Sequence, residues 1–205
     1  MTQDIHSSEF LKGRELQRMR AEIDRLRDEN ERLARLAYRD ALTGLRNRRY
    51  FTERLSEELS RLKRNPNGAL SLICIDLNGF KKLNDSQGHA AGDLALMMVG
   101  RMLETLIRIE DVACRMGGDE FVVLLADTPE EQARVVLERI RKSMAALAHA
   151  GLPRRALALG LGSWEPGDDE ERLLGKADAK MYADKREPSA VGATTHGPLT
   201  TAEAA

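Results

Sequence analysis

Asp111-Val-Ala-Cys-Arg-Met-Gly-Gly-Asp-Glu-Phe-Val-Val-Leu-Leu125 decides how the rest of the chain is read. Two apolar runs, Val112 to Cys114 and Phe121 to Leu125, flank the pair Gly117-Gly118, and short apolar runs broken by a glycine pair predict a β-hairpin with the pair at its turn. Glycines let the backbone approach a ligand closely. Asp119 and Glu120 then place two carboxylates at the bend, where an anionic ligand is acceptable only if cations intervene. Alone, such a turn would be an ordinary hairpin with solvated acids.

A second stretch, Ser71-Leu-Ile-Cys-Ile-Asp76-Leu-Asn-Gly-Phe80-Lys81-Lys-Leu-Asn84-Asp85, changes that weighing. Its nearly continuous apolar run over 71–75 predicts a buried strand. Asp76 falls where the strand runs out, and a carboxylate there is costly unless paired or bound to metal. If this strand lies beside the hairpin, Asp76 and Asp119 would share hard cations. Mg²⁺ is commonly held by one or two carboxylates together with substrate phosphates and water. Lys81 supplies positive charge for a phosphate tail. Asn84 and Asp93 can read a base edge, because a carboxylate accepts two hydrogen bonds on one face, as the N–H and amino donors of guanine require. The pieces describe a nucleoside-triphosphate site with two metals.

These residues resemble the GGDEF family, the diguanylate cyclases that condense two GTP molecules into cyclic di-GMP. The resemblance also covers Asp40-Ala-Leu-Thr-Gly-Leu-Arg-Asn-Arg-Arg-Tyr-Phe51, the block Gly88-His89-Ala-Ala-Gly-Asp93, and the closing Lys176-Ala-Asp-Ala-Lys-Met-Tyr182-Ala-Asp-Lys185. It runs in order over residues 38–187, which a chance motif does not do. The resemblance implies that Asp76, Asp119 and the backbone carbonyl of Leu77 hold two Mg²⁺ ions per site, with Mn²⁺ as an alternative. It implies that Asp119 also accepts the proton of the attacking hydroxyl, that Lys81 stabilises phosphate charge, and that Glu120 supports the metal site. Asn84 and Asp93 would recognise guanine, Gly117 and Gly118 would admit the phosphates, Phe80 would wall the site, and Lys185 would contact substrate. Arg108-Ile-Glu-Asp111 stands at the spacing of the family's product-binding inhibitory RxxD motif, and Arg139 of a neighbouring domain would complete that site. An isolated Arg-x-x-Asp is far better explained as an ordinary helix end, and only its position ahead of the Gly pair favours the product site. One departure stands out: Lys185 is followed by Arg186-Glu-Pro188-Ser189 where the family carries Gly-Arg-Asn. A second phosphate-binding arginine is therefore missing, a change expected to raise KM for GTP more than it lowers kcat.

Ahead of this domain, Leu16, Met19, Ile23, Leu26, Asn30, Leu33 and Ala37 recur at alternating steps of three and four, the seam of a coiled coil. Glu15 and Glu22 at g positions would face Arg20 and Arg27 at e positions of a parallel partner, and Asn30 would fix register. About three heptads is short, so the dimer draws on other contacts as well. The alternative is a single amphipathic helix packed on its own domain.

The chain has 205 residues and a formal net charge of −1, with no global basic field to suggest nucleic acid or membrane as a partner. No apolar run approaches the length of a membrane span, and Cys74 and Cys114 lack metal spacing, so a cytoplasmic protein with reduced core thiols is expected. His196 has no partner spacing for a metal. The expected organisation is a flexible 1–9, a coiled-coil helix over 10–37, a cyclase domain over 38–187 and a disordered tail over 188–205. The expected fold is α/β (α+β in stricter terms), with a mainly antiparallel sheet of strands near 70–76, 111–115, 120–126 and 155–162. Helices near 47–63, 90–107, 129–148 and 169–185 would cover it in a palm-like nucleotidyl cyclase arrangement. The functional alternatives are a catalytically weak or inactive domain acting as a receptor for GTP or cyclic di-GMP, and a scaffold whose coiled coil is the working part.

Overall fold

Leu70–Leu77 forms an interior strand of the sheet, and all of its residues are buried. Alternate side chains point to opposite sides of a sheet, so burial of every position means that both faces are covered. Ile73, Ile75 and Leu77 join a core with Leu96, Val99 and Leu103 on one face, whereas Leu72 and Cys74 join Phe51, Leu55 and Leu173 on the other. That is why the run reads as continuously apolar rather than alternating.

The computed structural model describes residues 2–144, 147, 152, 153 and 156–186. In chain order the elements are α1 (Thr2–Tyr38), β1 (Arg46–Asn47), α2 (Arg48–Arg64), β2 (Leu70–Leu77), α3 (Phe80–Gln87), α4 (His89–Leu106), β3 (Val112–Gly117), β4 (Glu120–Ala126), α5 (Glu130–Ser143), β5 (Leu157–Ser163) and α6 (Glu170–Arg186). The strands lie in the order β1-β3-β4-β2-β5. All pairings are antiparallel except β1 with β3. This is the mainly antiparallel, helix-covered sheet expected from the sequence. Among the described residues no helix is long and apolar enough to cross a membrane.

Several boundaries differ from the sequence reading. α1 begins at Thr2 rather than near Phe10, since no Pro or Gly before Phe10 interrupts a helix. α3 was hidden in the sequence, because a short helix rich in Asn, Asp and Ser has weak propensity and looks like a continued turn. β1 is a two-residue edge that no periodicity can reveal. α5 ends at Ser143, and much of the remaining stretch to 148 lies outside the described residues. Residues 187–205, including the expected tail and His196, also lie outside them.

In β5, Ala156-Leu-Ala-Leu-Gly-Leu-Gly162 alternates as a strand should yet lacks β-branched residues, and α6 explains this. A Cβ at Gly160 would stand 2.0 Å from the Ala177 carbonyl oxygen and 2.2 Å from the Met181 nitrogen. At Gly162 it would stand 2.8 Å from the Leu173 carbonyl oxygen. The helix backbone lies directly on the strand, so no side chain fits. Gly160→Ala is therefore expected to force α6 outward and cost at least about 1–3 kcal/mol. The check is a urea denaturation midpoint, and an unchanged midpoint would show that α6 can stand away from β5.

Candidate active site

The site forms where β2 ends beside the β3–β4 turn. In the β2–β4 register Asp76 pairs with Glu120 and Ile75 with Phe121. The Leu77 N–H then donates to the Asp119 carbonyl at 3.2 Å, fastening the turn to the strand end. Gly117 (φ 139°) and Gly118 (φ 55°) adopt backbone angles that disfavour side chains, and a Cβ at either would meet nothing within 4 Å. The turn is therefore open in front of Asp119, as a ligand approaching the backbone needs.

Asp76 is only 8% exposed. Its charge is met by Lys185 near the end of α6, whose Nζ donates to Oδ1 at 2.7 Å. The contact places an ammonium where the sequence argument asks for a cation. α6 is held in position nearby, because the Leu159 N–H donates to Asp184 Oδ2 at 2.9 Å and Arg141 approaches Oδ1 of the same carboxylate at 3.3 Å. Sequence reasoning assigned no role to Asp184, which looks like one acid among many until β5 is placed beside it. Arg186 instead lies over the Tyr182 ring at 5.7 Å, on its own helix.

Gly79 (φ 76°) turns the chain from β2 into α3, which carries Phe80, Lys81 and Asn84. Gly88 (φ 84°) turns it again into α4, which carries Asp93. Lys81 and Asp93 are exposed and Asn84 is half-buried. α3 and α4 meet closely at Gly92, where an added Cβ would lie 2.0 Å from Asn84 Oδ1. That oxygen is buried and has no hydrogen-bond partner among the described residues. Unpaired buried acceptors are uncommon and call for a specific reason; a donor supplied by a ligand is one.

The donor set fits a hard divalent cation. Asp76 already carries a cationic partner, and Asp119 is fastened to the next residue of the same strand end. Among the described residues no three His, Cys, Asp or Glu side chains converge on one point. A site of two carboxylates completed by phosphate oxygens is the arrangement typical of Mg²⁺. Asp76, Asp119 and the Leu77 carbonyl are the groups that would hold it. Glu120 is exposed, with Arg48 at 4.0 Å as a loose partner.

Arg108 and Asp111 form a closed turn between α4 and β3. The Arg108 N–H donates to Asp111 Oδ2 at 3.0 Å, and the Asp111 N–H donates to the Arg108 carbonyl at 3.2 Å. Burial raises the Asp111 carboxyl above its ordinary range, against the opposing hydrogen bond from Arg108. Arg139 on α5 donates to the Leu106 carbonyl of its own chain, just before this turn. A cavity of about 370 Å³ opens here, lined in part by Arg39, Arg46, Tyr50, Glu104, Arg108 and Asp111.

The N-terminal helix leaves its apolar stripe open. Met19, Ile23, Leu26 and Leu33 are between 45% and 58% exposed. Glu22 and Glu29 pair along the helix with Arg25 and Arg32, each at 2.7 Å. The side chain of Leu16, the first seam position, lies outside the described ones.

Residues 37–190 match the family described as "Diguanylate cyclase, GGDEF domain". The chain belongs to this GGDEF family. It is 36% identical over 160 residues to the diguanylate cyclase DgcM of Escherichia coli, covering 77% of this chain and 38% of that protein. It is 39% identical over 148 residues to the diguanylate cyclase DgcS of Shewanella oneidensis, covering 71% of this chain and 49% of that protein. The chain thus spans about half or less of the length of these relatives. Its fold matches a crystal structure of the coiled coil and GGDEF domain of DgcB from Caulobacter crescentus in complex with c-di-GMP. That match has a TM-score of 0.75 at 27% identity and covers 86% of this chain and 94% of that one.

Proposed function

We propose that this chain is a diguanylate cyclase that works as a dimer, condensing two GTP molecules into cyclic di-GMP with release of pyrophosphate. The observation that carries the reading is the meeting of Asp76, Asp119 and Lys185 at one strand end, with Asn84 and Asp93 on the adjoining helices. Asp76, Asp119 and the Leu77 carbonyl would hold Mg²⁺, or Mn²⁺ in its place, which would supply charge neutralisation at the phosphates and a lowered pKa for the attacking 3′-hydroxyl. Asp119 takes the proton of that hydroxyl as its oxygen bonds to the α-phosphorus of the other GTP, and the bond to the departing pyrophosphate breaks. The same exchange repeated on the second GTP closes the ring. Lys81 and Lys185 hold phosphate oxygens, Lys185 leaving Asp76 to do so. Asn84 Oδ1 accepts from a guanine N–H, and Asp93 accepts from the same base edge. Gly117 and Gly118 admit the phosphates, Phe80 walls the site, and Glu120 supports the cation-binding turn.

One domain holds one GTP, so two domains must face each other. The open stripe on α1 supports a parallel coiled coil as the device that raises their mutual concentration. Glu22 would then exchange its bond with Arg25 for one to the partner's e position, a trade of small net value between exposed charges. Product would bind at Arg108 and Asp111, with Arg139 recruited once it releases the Leu106 carbonyl. The alternative of a GTP or cyclic di-GMP receptor is favoured by one observation, the stacking of Arg186 on Tyr182 rather than toward the phosphate-binding end.

Purified protein incubated with GTP and Mg²⁺, with nucleotides resolved by chromatography, tests the reading. Cyclic di-GMP and pyrophosphate are expected, with the rate falling as product accumulates. Arg108→Ala is expected to raise the half-inhibitory product concentration at least tenfold without changing the initial rate. A folded dimer that binds GTP and makes no cyclic di-GMP would establish the receptor instead.

A further inference from the structure

The turn that carries Asp119 is gripped from outside the site by side chains that have no role in the motif reading. Arg115 on β3 donates through Nε and Nη2 to the Gly118 carbonyl at 3.1 and 2.8 Å. Its remaining nitrogen, Nη1, reaches both oxygens of Asp40 at 3.1 and 3.2 Å. Asp40 lies two residues past the end of α1 at Tyr38 and accepts in addition from the Thr43 N–H and hydroxyl at 2.8 and 2.7 Å. Arg48, at the start of α2, donates to the Met116 carbonyl at 2.9 Å. With the Leu77 N–H on the Asp119 carbonyl, the carbonyls of residues 116, 118 and 119 each have a fixed donor.

The Arg115–Asp40 pair is well shielded, with side-chain exposures of 13% and 23%. It is therefore weakly screened by solvent, unlike the exposed pairs along α1. Burial opposes the charge on Asp40, yet the Thr43 and Arg115 hydrogen bonds outweigh it and hold the carboxyl below its ordinary range. A planar guanidinium with donors on both edges can span two acceptors at fixed angles. An ammonium cannot reproduce that geometry. Gly117 and Gly118, without side chains, give the turn no stiffness of their own, so its shape is set by these external donors.

We propose that Arg115 and Asp40 are positioning residues for the reaction: their ion pair sets the catalytic turn and ties it to the exit of the N-terminal helix, so that the seating of that helix is felt at Asp119. The inference rests on the cyclase reading and concerns the same site. Since Asp119 must meet a hydroxyl belonging to a GTP on the opposite domain, small errors in the turn act on the chemical step. A misplacement of about 1 Å can cost about 10²-fold. Binding of GTP to its own domain, through α3 and α4, is left largely as it was.

The test uses the full chain with Asp40→Asn, Arg115→Ala and Arg115→Lys. Asn at 40 keeps Oδ1 as the acceptor for Thr43 and for one Arg115 contact, but removes the charge and replaces the second oxygen with a donor that faces Arg115, so the local turn survives while the ion pair is lost. Two readouts are taken: steady-state kinetics with GTP, and hydrogen exchange at the Leu77 amide, whose acceptor is the Asp119 carbonyl. Asp40→Asn and Arg115→Ala are expected to lower kcat 10–100-fold with KM changed less than threefold, and to speed Leu77 exchange at least tenfold while Ile73 in the same strand is unaffected. Arg115→Lys is expected to recover little of either. Wild-type exchange at Leu77 in the variants overturns the tie whatever the activity. Faster exchange with unchanged kcat overturns the positioning role. A wild-type chain that makes no cyclic di-GMP overturns the cyclase reading and the positioning role with it, and is told apart from the other results by the wild-type assay alone.

Discussion

Asp119→Asn is expected to abolish cyclic di-GMP formation while leaving the fold and the oligomeric state unchanged. The turn is fastened through the Asp119 carbonyl and not its side chain, so the Leu77 hydrogen bond survives the substitution. Asn is neutral, a weaker ligand for a hard cation, and unable to accept a proton at neutral pH. Loss of a general base alone accounts for about 10²–10⁴-fold in rate. Loss of a ligand adds a second deficit, which should appear as weaker Mn²⁺ binding in an equilibrium titration without GTP. The thermal midpoint should move by no more than a few degrees, since Asp119 is half-exposed and makes no buried pair. Asp76→Asn supplies the contrast, because it leaves the Lys185 ammonium without its partner. If Asp119→Asn retained turnover, the reacting groups would have to lie elsewhere than at the hairpin.

What could be read in the sequence followed from local chemistry. The glycine pair, the carboxylates after it and the apolar run ending in Asp76 are each defined by neighbours a few residues away, and they predicted β2, β3 and β4, while the juxtaposition of β2 with the hairpin entered only as a condition and comes from the β2–β4 pairing. What escaped depends on pairings between distant segments. Arg115 is one arginine in a strand until Asp40, seventy-five positions earlier, is placed beside it. Lys185 was read as a substrate contact, whereas its partner in this structure is the carboxylate of Asp76, reached only because β5 and α6 bring the end of the chain back to β2. The missing β-branched residues of β5 conflicted with its alternation, and the conflict resolves only when α6 is seen lying on Gly160 and Gly162. Propensity describes a residue on a pleated surface with room for a side chain, and that room is absent there. α3 escaped for the opposite reason: its contacts with α4 hold a helix that its own composition barely favours.

Gly92→Ala is expected to damage GTP binding more than any other single added methyl in the site. The new Cβ would stand 2.0 Å from Asn84 Oδ1, 2.9 Å from its Cγ and 3.1 Å from a Phe80 ring carbon. Asn84 can escape only by leaving the position from which it would meet the base, and Phe80 has to shift with it. Stability need not follow affinity, because Gly→Ala inside a helix gains about 1 kcal/mol of propensity that offsets part of the crowding. The expected result is a KM for GTP raised at least tenfold, a smaller fall in kcat, and a denaturation midpoint near that of the wild type. Asn84→Ala should raise KM to a similar degree by removing the acceptor outright. Combining the two changes separates the causes. With Ala at position 84 the two closest clashes at 92 are gone and only the Phe80 ring carbon at 3.1 Å has to give by a few tenths of an ångström, so the double variant should bind GTP little worse than Asn84→Ala alone, a strongly non-additive pair. Additive losses would mean that Gly92 acts on the ligand directly, and that the unpaired Asn84 oxygen has a purpose other than guanine.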